Sequence, residues 1–316
     1  LPATLGADAP YENMGTIQTK GWELAIDYRH TFKNGLHFGV TASVADDKTE
    51  VTKWTYNTKI PSYGATGWWD KSAYKEGMVL GDIWGLQFDR FLTEDDFNAD
   101  GSLKAGLPDQ TKVFPAGYQF APGDVLYKDL DNNGEIVKQT NTNDKGDLSV
   151  IGNALPRLQF GLNLDAAWKG FDISMFFQGV AKRKLWAAGN QVLPGFTTGE
   201  PFYKGAEDYW TPENTDAFYP RPMDYKQSAS GNYSVNDRYL LNMAYLRLKT
   251  FTVGYSLPKV WLSKFKVQGL RVYFTGENLF TIDGVKPAID PEIGIRTASG
   301  KSDQRNFGRS YPYQKT

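Results

Sequence analysis

The chain has no cysteine, very little histidine and almost no net charge. The absence of cysteine among the 316 residues excludes disulfide bonds, thiolate catalysis and cysteine-based metal sites. Two histidines, His30 and His37, are too few for a histidine-rich metal centre. A formal net charge of −1 gives no overall electrostatic attraction to nucleic acid or to an anionic surface.

Long apolar runs are also missing. The sequence contains no run of about 18 apolar residues, which excludes a transmembrane helix. Residues 1–15 have neither a basic segment nor an apolar segment, so we do not expect them to be a signal peptide. The aromatic content is high at 15%, and there are 32 glycines. This combination is typical of a chain rich in turns and aromatic strands.

Alternation of apolar and polar residues with a period of two predicts six β-strands. The six segments are residues 22–28, 36–44, 158–168, 171–177, 245–255 and 270–278. Asn34-Gly35 and Lys169-Gly170 predict tight hairpin turns between the first pair and the second pair. Several of these strands approach about 9–11 residues, the length that crosses a membrane in a tilted barrel.

The connections between the predicted strands fall into two size classes. Tight turns alternate with long segments at residues 45–156, 180–242 and from 281 onward. Short turns on one side and long loops on the other are typical of an outer-membrane β-barrel. If the strand at 36–44 runs toward the side of the long loops, the strand at 158–168 must run back from it, because that strand ends in a tight turn. An even number of membrane crossings, zero included, therefore lies between the two strands. Poor alternation in residues 79–92 favours an excursion outside the membrane.

Each predicted strand has one apolar face and one polar face. The polar face of the hairpin at residues 157–179 carries Gln159, Asn163, Asp165, Asp172 and Ser174, which we expect to line a wet lumen. The opposite face is expected to meet lipid. We therefore predict an all-β fold, an antiparallel transmembrane β-barrel segment with long extracellular loops. A soluble β-sandwich with an apolar inner face is the alternative.

Five stretches of the sequence resemble one family, the SusC/RagA-type TonB-linked outer-membrane transporters. Its typical motifs are similar to NMGTIQTKGWEL (13–24), PGDVLYKDLDNNGEI followed by VIGNALPRLQFGLNLDAAWKGFDISMFFQG (122–136 and 150–179), EDYWTPENTDAFYPRP (207–222), AYLRLKTFTVGYSLP (244–258), and GLRVYFTGENLFTI followed by DPEIG (269–282 and 290–294). The matches follow the order and spacing of the family and cover most of the chain.

The resemblance implies that residues 1–316 are a C-terminal portion of a 22-stranded barrel, with extracellular loops at 45–156 and 180–242. The family also has an N-terminal plug domain and a TonB-contacting segment, and neither is recognisable in this sequence. The resemblance also implies uptake of oligosaccharides, or of peptides in some members, energised by TonB and the proton-motive force. A SusD-like surface lipoprotein would cover the long loops. No nucleic-acid partner and no required cofactor is implied.

The segment Asp129–Gly134, DLDNNG, is the most specific chemical motif. It matches the start of a calcium loop, with ligands expected from Asp129, Asp131, Asn133 and the Glu135 carbonyl. The twelfth position is Thr140, so the bidentate glutamate is absent, and Asp144 or Asp147 would have to substitute for it. The alternative is an Asx-rich turn that needs no metal.

Aromatic residues collect in both long loops. Trp68, Trp69 and Tyr203 are candidate substrate-binding residues, because aromatic rings stack on sugars or contact a partner protein. The alternative is that loop aromatics form small hydrophobic cores, which we favour for Trp210. No G-x-S-x-G elbow or phosphate-binding loop is present, so the chain is not expected to be an enzyme. A glycan-binding β-sandwich, soluble or attached to the cell surface, and a glycosidase are the competing functions.

Overall fold

A computed structural model describes residues 13, 15–55, 76–138, 146–187, 189–196, 203–223, 231–285, 289–292, 297–298 and 301–302. The described strands are β1 Gly15–Thr31, β2 His37–Trp54, β3 Asp82–Gly85, β4 Phe88–Phe91, β5 Val125–Tyr127, β6 Ser149–Asn153, β7 Arg157–Trp168, β8 Phe171–Lys182, β9 Lys184–Leu185, β10 Leu241–Asn242, β11 Tyr245–Ser256, β12 Arg271–Asp283, β13 Thr297–Ala298 and β14 Lys301–Ser302. The helical segments are α1 Lys259–Leu262 and the 3₁₀ turns Glu94–Asp96 and Ser263–Phe265. No described helix has the length and apolarity that crossing a bilayer requires.

Six long strands form one antiparallel sheet in the order β1-β2-β7-β8-β11-β12. All six strands predicted from the period-two pattern are confirmed. They are longer than expected, with 12 to 18 residues each. β2 pairs directly with β7 although about a hundred residues separate them in the chain. Of the described residues between them, only those around Val79 reach this sheet, through a single bridge to Glu50 at the end of β2, and none forms a further long strand of it.

Tight turns set the register at one end of the sheet. Gly35 has φ 82°, and the Asn34 side chain accepts a hydrogen bond of 3.1 Å from the Leu36 amide. Lys169 and Gly170 both have positive φ, 49° and 90°, as a two-residue hairpin turn requires. The third connection, between β11 and β12, contains the short helix α1.

Strand pairing places all apolar faces on one side of the sheet. One row across the sheet reads Tyr28, Val40, Leu164, Met175, Phe251 and Gly276. A neighbouring row on the other side reads Arg29, Gly39, Asp165, Ser174, Thr252 and Thr275. In the part of the chain that the structure describes, no second sheet covers the apolar face, and large side chains such as Ile26 and Phe274 are exposed on it.

The described residues of the two excursions, which span 76–155 and 183–244, fold into a unit with its own hydrophobic interior at the other end of the sheet. Its first cluster centres on Leu185, Leu193 and Met243, and its second on Leu86 and Tyr127. Small antiparallel sheets join β3 to β6, β4 to β5 and β9 to β10. Residues 79–92 supply β3 and β4 of these small sheets and no strand of the six-stranded sheet. We call this the loop unit.

Candidate functional site

The loop unit contains a cleft that includes one of the three predicted substrate-binding aromatics. Tyr203 lies at its rim and is 36% exposed. Trp68 and Trp69 lie outside the described residues. The cleft has a volume of about 620 Å³ and is lined by Pro194, Tyr203, Lys204, Ala206, Glu207, Tyr209, Tyr219, Pro220, Pro222 and Tyr233. Four tyrosines and three prolines give this cleft a mostly apolar, ring-rich wall.

Two of the four tyrosines are part of the hydrophobic interior and two are accessible. Tyr219 and Tyr233 are buried, whereas Tyr203 and Tyr209 are exposed. The Tyr219 hydroxyl donates a hydrogen bond of 2.9 Å to the Val192 carbonyl, and burial raises the pKa of Tyr219 to about 12. The floor is therefore fixed and neutral, and the rim offers two ring faces for stacking. Of these four tyrosines, only Tyr203 is predicted from the sequence to be a binding residue, because a single sequence does not show which loop residues the fold brings together.

The calcium-like motif brings three carboxylates together. Carboxylate oxygens of Asp129, Asp131 and Asp147 all lie within 4.8 Å of one another. Asp147 is fully buried and accepts backbone hydrogen bonds of 2.8 Å from Leu130 and Val137. Sequence reasoning had offered Asp147 as a substitute for the missing twelfth ligand, and the structure places it beside the two motif aspartates.

The other two predicted ligands have different surroundings. The Asn133 side-chain oxygen accepts a hydrogen bond of 2.8 Å from the Glu135 amide, and the Glu135 carboxylate pairs with Lys112. The Asp129 carboxylate accepts a hydrogen bond of 2.7 Å from the Gly134 amide. These contacts are those of an Asx-rich turn. The geometry is therefore compatible with both hypotheses, a turn without metal and a calcium site.

The pKa values of the two motif aspartates are shifted in opposite directions. The backbone hydrogen bond from Gly134 lowers the pKa of Asp129. Partial desolvation, with the nearby carboxylates of Asp129 and Asp147, raises the pKa of Asp131. Crowded like charges disfavour ionisation unless a cation or donors offset them. Three hard oxygen donors at this spacing can hold a divalent cation.

Two stretches that carried the family resemblance meet at a buried aspartate. Asp124, from PGDVLY, is fully buried and accepts hydrogen bonds from Arg221 Nε at 2.8 Å and from the Tyr118 hydroxyl at 2.9 Å. Asn232 Nδ2 donates to the same carboxylate at 2.9 Å. Arg221 belongs to the YPRP stretch, about a hundred residues away, so this ion pair joins the two excursions.

The glycine before this aspartate allows a close approach of the same two stretches. Gly123 has φ 90°, and a Cβ atom there would overlap the Trp210 ring. Trp210 is only 7% exposed and packs in the second hydrophobic cluster. Its role in the loop unit is therefore packing, as favoured from the sequence, rather than ligand stacking.

A second buried ion-pair network joins the sheet to the segment after β12. Arg247 on β11 is 4% exposed at its side chain and donates to Asp290 Oδ1 at 2.7 Å. Its guanidinium also lies 3.3 Å from Glu292, which pairs with Lys249 at 2.7 Å. The YLRLK and DPE stretches of the sequence are thus in direct contact. We call Arg247, Lys249, Asp290 and Glu292 the DPE network.

The curated relatives are TonB-dependent receptors. The chain is 26% identical over 98% of its length to TonB-dependent receptor P3 of Formosa agariphila, of which it covers 29%. It is 21% identical over 89% of its length to TonB-dependent receptor SusC of Bacteroides thetaiotaomicron, of which it covers 25%. The chain therefore spans less than a third of these relatives. No family model matches the sequence. None of these relatives is named as an enzyme, in agreement with the lack of a catalytic motif.

Solved structures share the fold. A structure of the RagAB peptide transporter matches 93% of this chain and 28% of the matched chain, with a TM-score of 0.63 and 18% identity. The RagAB peptide importer in its closed-closed state matches 100% of this chain with a TM-score of 0.56 and 16% identity. The sequence relatives and the fold together confirm the resemblance that the motifs carried: over nearly its whole length, this chain is similar to a segment of SusC/RagA-type TonB-dependent receptors.

Proposed function

We propose that this chain forms part of the wall and the extracellular loops of an outer-membrane nutrient importer of the SusC/RagA type. One observation carries the proposal. The six-stranded sheet has one continuous apolar face, and its exposed members include Leu24, Ile26, Val272 and Phe274. An aqueous surrounding would make such a face unfavourable, since each Å² of exposed apolar surface costs about 25 cal/mol. Lipid removes that cost.

The polar side of the sheet fits a wet lumen. Thr41 donates a hydrogen bond of 2.6 Å to Asp27, and Thr252 and Thr275 pair at 3.1 Å. Arg271 donates to Asp172 at 3.0 Å. A soluble glycan-binding sandwich would instead bury its apolar face under a second sheet. None of the described strands supplies one, which favours the importer over the sandwich.

Membrane partition of the intact parent protein tests the importer. We expect the full-length protein to pellet with outer membranes and to require detergent for extraction. A urea or carbonate wash should leave it in the pellet. Recovery of the folded protein from the soluble fraction without detergent would contradict the proposal.

The proposed partners are a SusD-like surface lipoprotein and TonB. The support is the similarity to SusC and to the RagA fold. TonB and the proton-motive force would act through parts of the receptor that this chain does not represent. The loop unit would provide the docking surface for the lipoprotein. Affinity purification of the full-length receptor should recover a lipoprotein in stoichiometric amount, and its repeated absence would remove this part of the proposal.

The proposed cargo is an oligosaccharide, with a peptide as the alternative. The rim tyrosines Tyr203 and Tyr209 carry this assignment, because flat apolar ring faces beside hydrogen-bonding groups suit sugar rings. Lys204 and Glu207 in the same wall supply polar contacts. RagAB is described as a peptide transporter, so a peptide is the competing cargo class to test.

Substitution of the rim separates ring stacking from other roles. We expect Tyr203→Ala to lower cargo binding by the full-length receptor about tenfold, on the scale of a lost aromatic contact of about 1.4 kcal/mol. Tyr203→Phe is the matched control, because it keeps the ring and removes only the hydroxyl. Isothermal titration with oligosaccharide and peptide pools gives the affinities. Equal binding by the alanine and phenylalanine variants would contradict stacking by Tyr203.

We further propose that Asp129, Asp131 and Asp147 bind a calcium ion that stabilises the loop unit, with Asn133 and the Glu135 carbonyl completing the loop. The support is the convergence of three carboxylates from two segments. Calcium titration of the full-length receptor should show one saturable site that Asp131→Asn weakens at least about tenfold. Asp95→Asn, in an exposed acidic turn, is the control. Equal calcium affinity in both variants would leave an Asx-rich turn as the explanation.

A further inference from the structure

We propose that the short-turn end of the sheet binds anionic phospholipid of the adjacent leaflet. This inference rests on the proposed membrane location. We call residues 32–36, 169–170 and 257–270 the basic turn end. These residues contain five lysines and no aspartate or glutamate: Lys33, Lys169, Lys259, Lys264 and Lys266. All five are exposed. The net charge of −1 for the whole chain conceals this concentration of positive charge.

The nearest carboxylates on the strands already have partners. Asp172, two residues after the β7–β8 turn, is held by Arg271 at 3.0 Å. Asp165 lies 3.5 Å from His37. The basic turn end contains no carboxylate, and Arg271 offsets the charge of Asp172, so the five lysines give this end a net positive charge. Each lysine near an anionic membrane surface contributes attraction of its own.

The helix α1 adds apolar side chains beside these charges. Trp261 is 59% exposed and Val260 is 75% exposed, whereas Leu262 is buried. The Val267 amide donates to the Leu262 carbonyl at 3.2 Å, and the Leu257 amide donates to the Leu270 carbonyl at 3.0 Å. These bonds hold the connection against the strand, so the exposed pair is presented by a fixed backbone.

The apolar surface of the basic turn end is continuous with the apolar face of the sheet, which indicates what kind of molecule covers it. Leu270 and Val272 extend from the connection onto the apolar face that meets lipid in the proposed importer, and both are exposed. Trp168 lies at the same end, with the Lys169 ammonium 4.4 Å from its ring centroid. Tryptophan beside lysine is typical of the headgroup level of a bilayer. The charge is complementary to phosphate, so we assign the occupant as anionic phospholipid.

Tryptophan quenching in lipid nanodiscs tests the contact. The full-length receptor is reconstituted with brominated phosphatidylglycerol, and the emission of Trp261 is obtained as the difference between the parent protein and Trp261→Phe. We expect this emission to be quenched at least about twofold relative to unbrominated lipid. A water-like, unquenched emission for Trp261 would overturn the inference.

Trp168 separates this inference from the proposed function. The same difference measurement with Trp168→Phe reports whether the sheet lies in the bilayer at all. Quenching at Trp168 without quenching at Trp261 would overturn only the contact of α1. Absence of quenching at both would contradict the importer as well. Trp84→Phe, in the loop unit, is the unquenched control.

Charge removal tests the preference for anionic lipid. In nanodiscs with equal phosphatidylglycerol and phosphatidylcholine, the triple change Lys259→Gln, Lys264→Gln and Lys266→Gln is expected to lower the bound phosphatidylglycerol, at most about fivefold per lysine. Native mass spectrometry of retained lipids measures the ratio. The matched control changes Lys20, Lys48 and Lys53 of β1 and β2 to glutamine. An equal ratio in the two triple variants would overturn the preference.

Discussion

Replacing Asp124 by alanine is expected to lower the free energy of local opening of the loop unit by about 3–5 kcal/mol, the usual cost of removing one partner of a buried ion pair. The reason is the number of groups that depend on this fully buried carboxylate. Arg221, Tyr118, Asn232 and the Ala121 amide all donate to it. Without the carboxylate, all four donors lose this acceptor and the guanidinium loses its counter-charge, while Tyr118 and Asn232 keep only a weak contact with the Met223 sulfur.

Hydrogen exchange of the full-length receptor measures this effect. Peptides that cover residues 122–127 and 231–239 should exchange at least about a hundredfold faster in Asp124→Ala, since local opening sets their rate. Asp89→Ala, on the exposed side of β4, is the matched control and should change these rates little. Asp124→Asn keeps the side-chain volume and one acceptor oxygen, so an intermediate rate is expected. Unchanged exchange in Asp124→Ala would show that the excursions do not depend on this junction.

Replacing Arg247 by methionine is expected to release the segment after β12 from the sheet, also at a cost of about 3–5 kcal/mol. If the segment stayed in place, Asp290 and Glu292 would be buried beside β11 without the guanidinium that both contact in the parent protein. Lys249 still pairs with Glu292, so we expect part of the DPE network to remain. The sheet itself should remain intact, because its ladder hydrogen bonds do not depend on this side chain.

Protease sensitivity provides the measurement for the DPE network. The full-length Arg247→Met receptor should be cut near residues 289–292 faster than the parent protein, with cutting elsewhere unchanged. Arg29→Met is the matched control, because Arg29 is an exposed strand arginine whose ion pair with Asp27 contributes about 1 kcal/mol or less. Equal protease sensitivity of the two variants would contradict a structural role for the network.

Much of the sheet could be predicted because its signals are local. A period of two needs only neighbouring residues, and the Asn34-Gly35 and Lys169-Gly170 turns need only their own dihedral angles. These signals gave six strands, their pairing in two hairpins and the side on which each polar residue lies. The ends of the strands were less well predicted. β2 continues ten residues past Val44, through a charged stretch whose alternation is weak.

The site was harder to predict because its contacts join distant parts of the chain. The pairing of β2 with β7, the ion pair of Asp124 with Arg221 and the cleft around Tyr203 each join residues from separate segments. A single sequence contains the residues of each contact and no measure of their distance. Asp147 illustrates this, since sequence reasoning could offer it only alongside Asp144.

The sequence by itself determined the class of surface that each strand presents, because side chains on a strand alternate between two sides whatever the rest of the chain does. It also determined the absence of cysteine chemistry and the concentration of lysine in the short turns. Only the tertiary structure decided which excursions pack together, which aspartates meet and which tyrosines remain exposed at the cleft. Those outcomes depend on burial and ion pairing between residues that are well separated in the chain, such as Asp131 with Asp147 and Asp124 with Arg221, and no local pattern specifies such contacts.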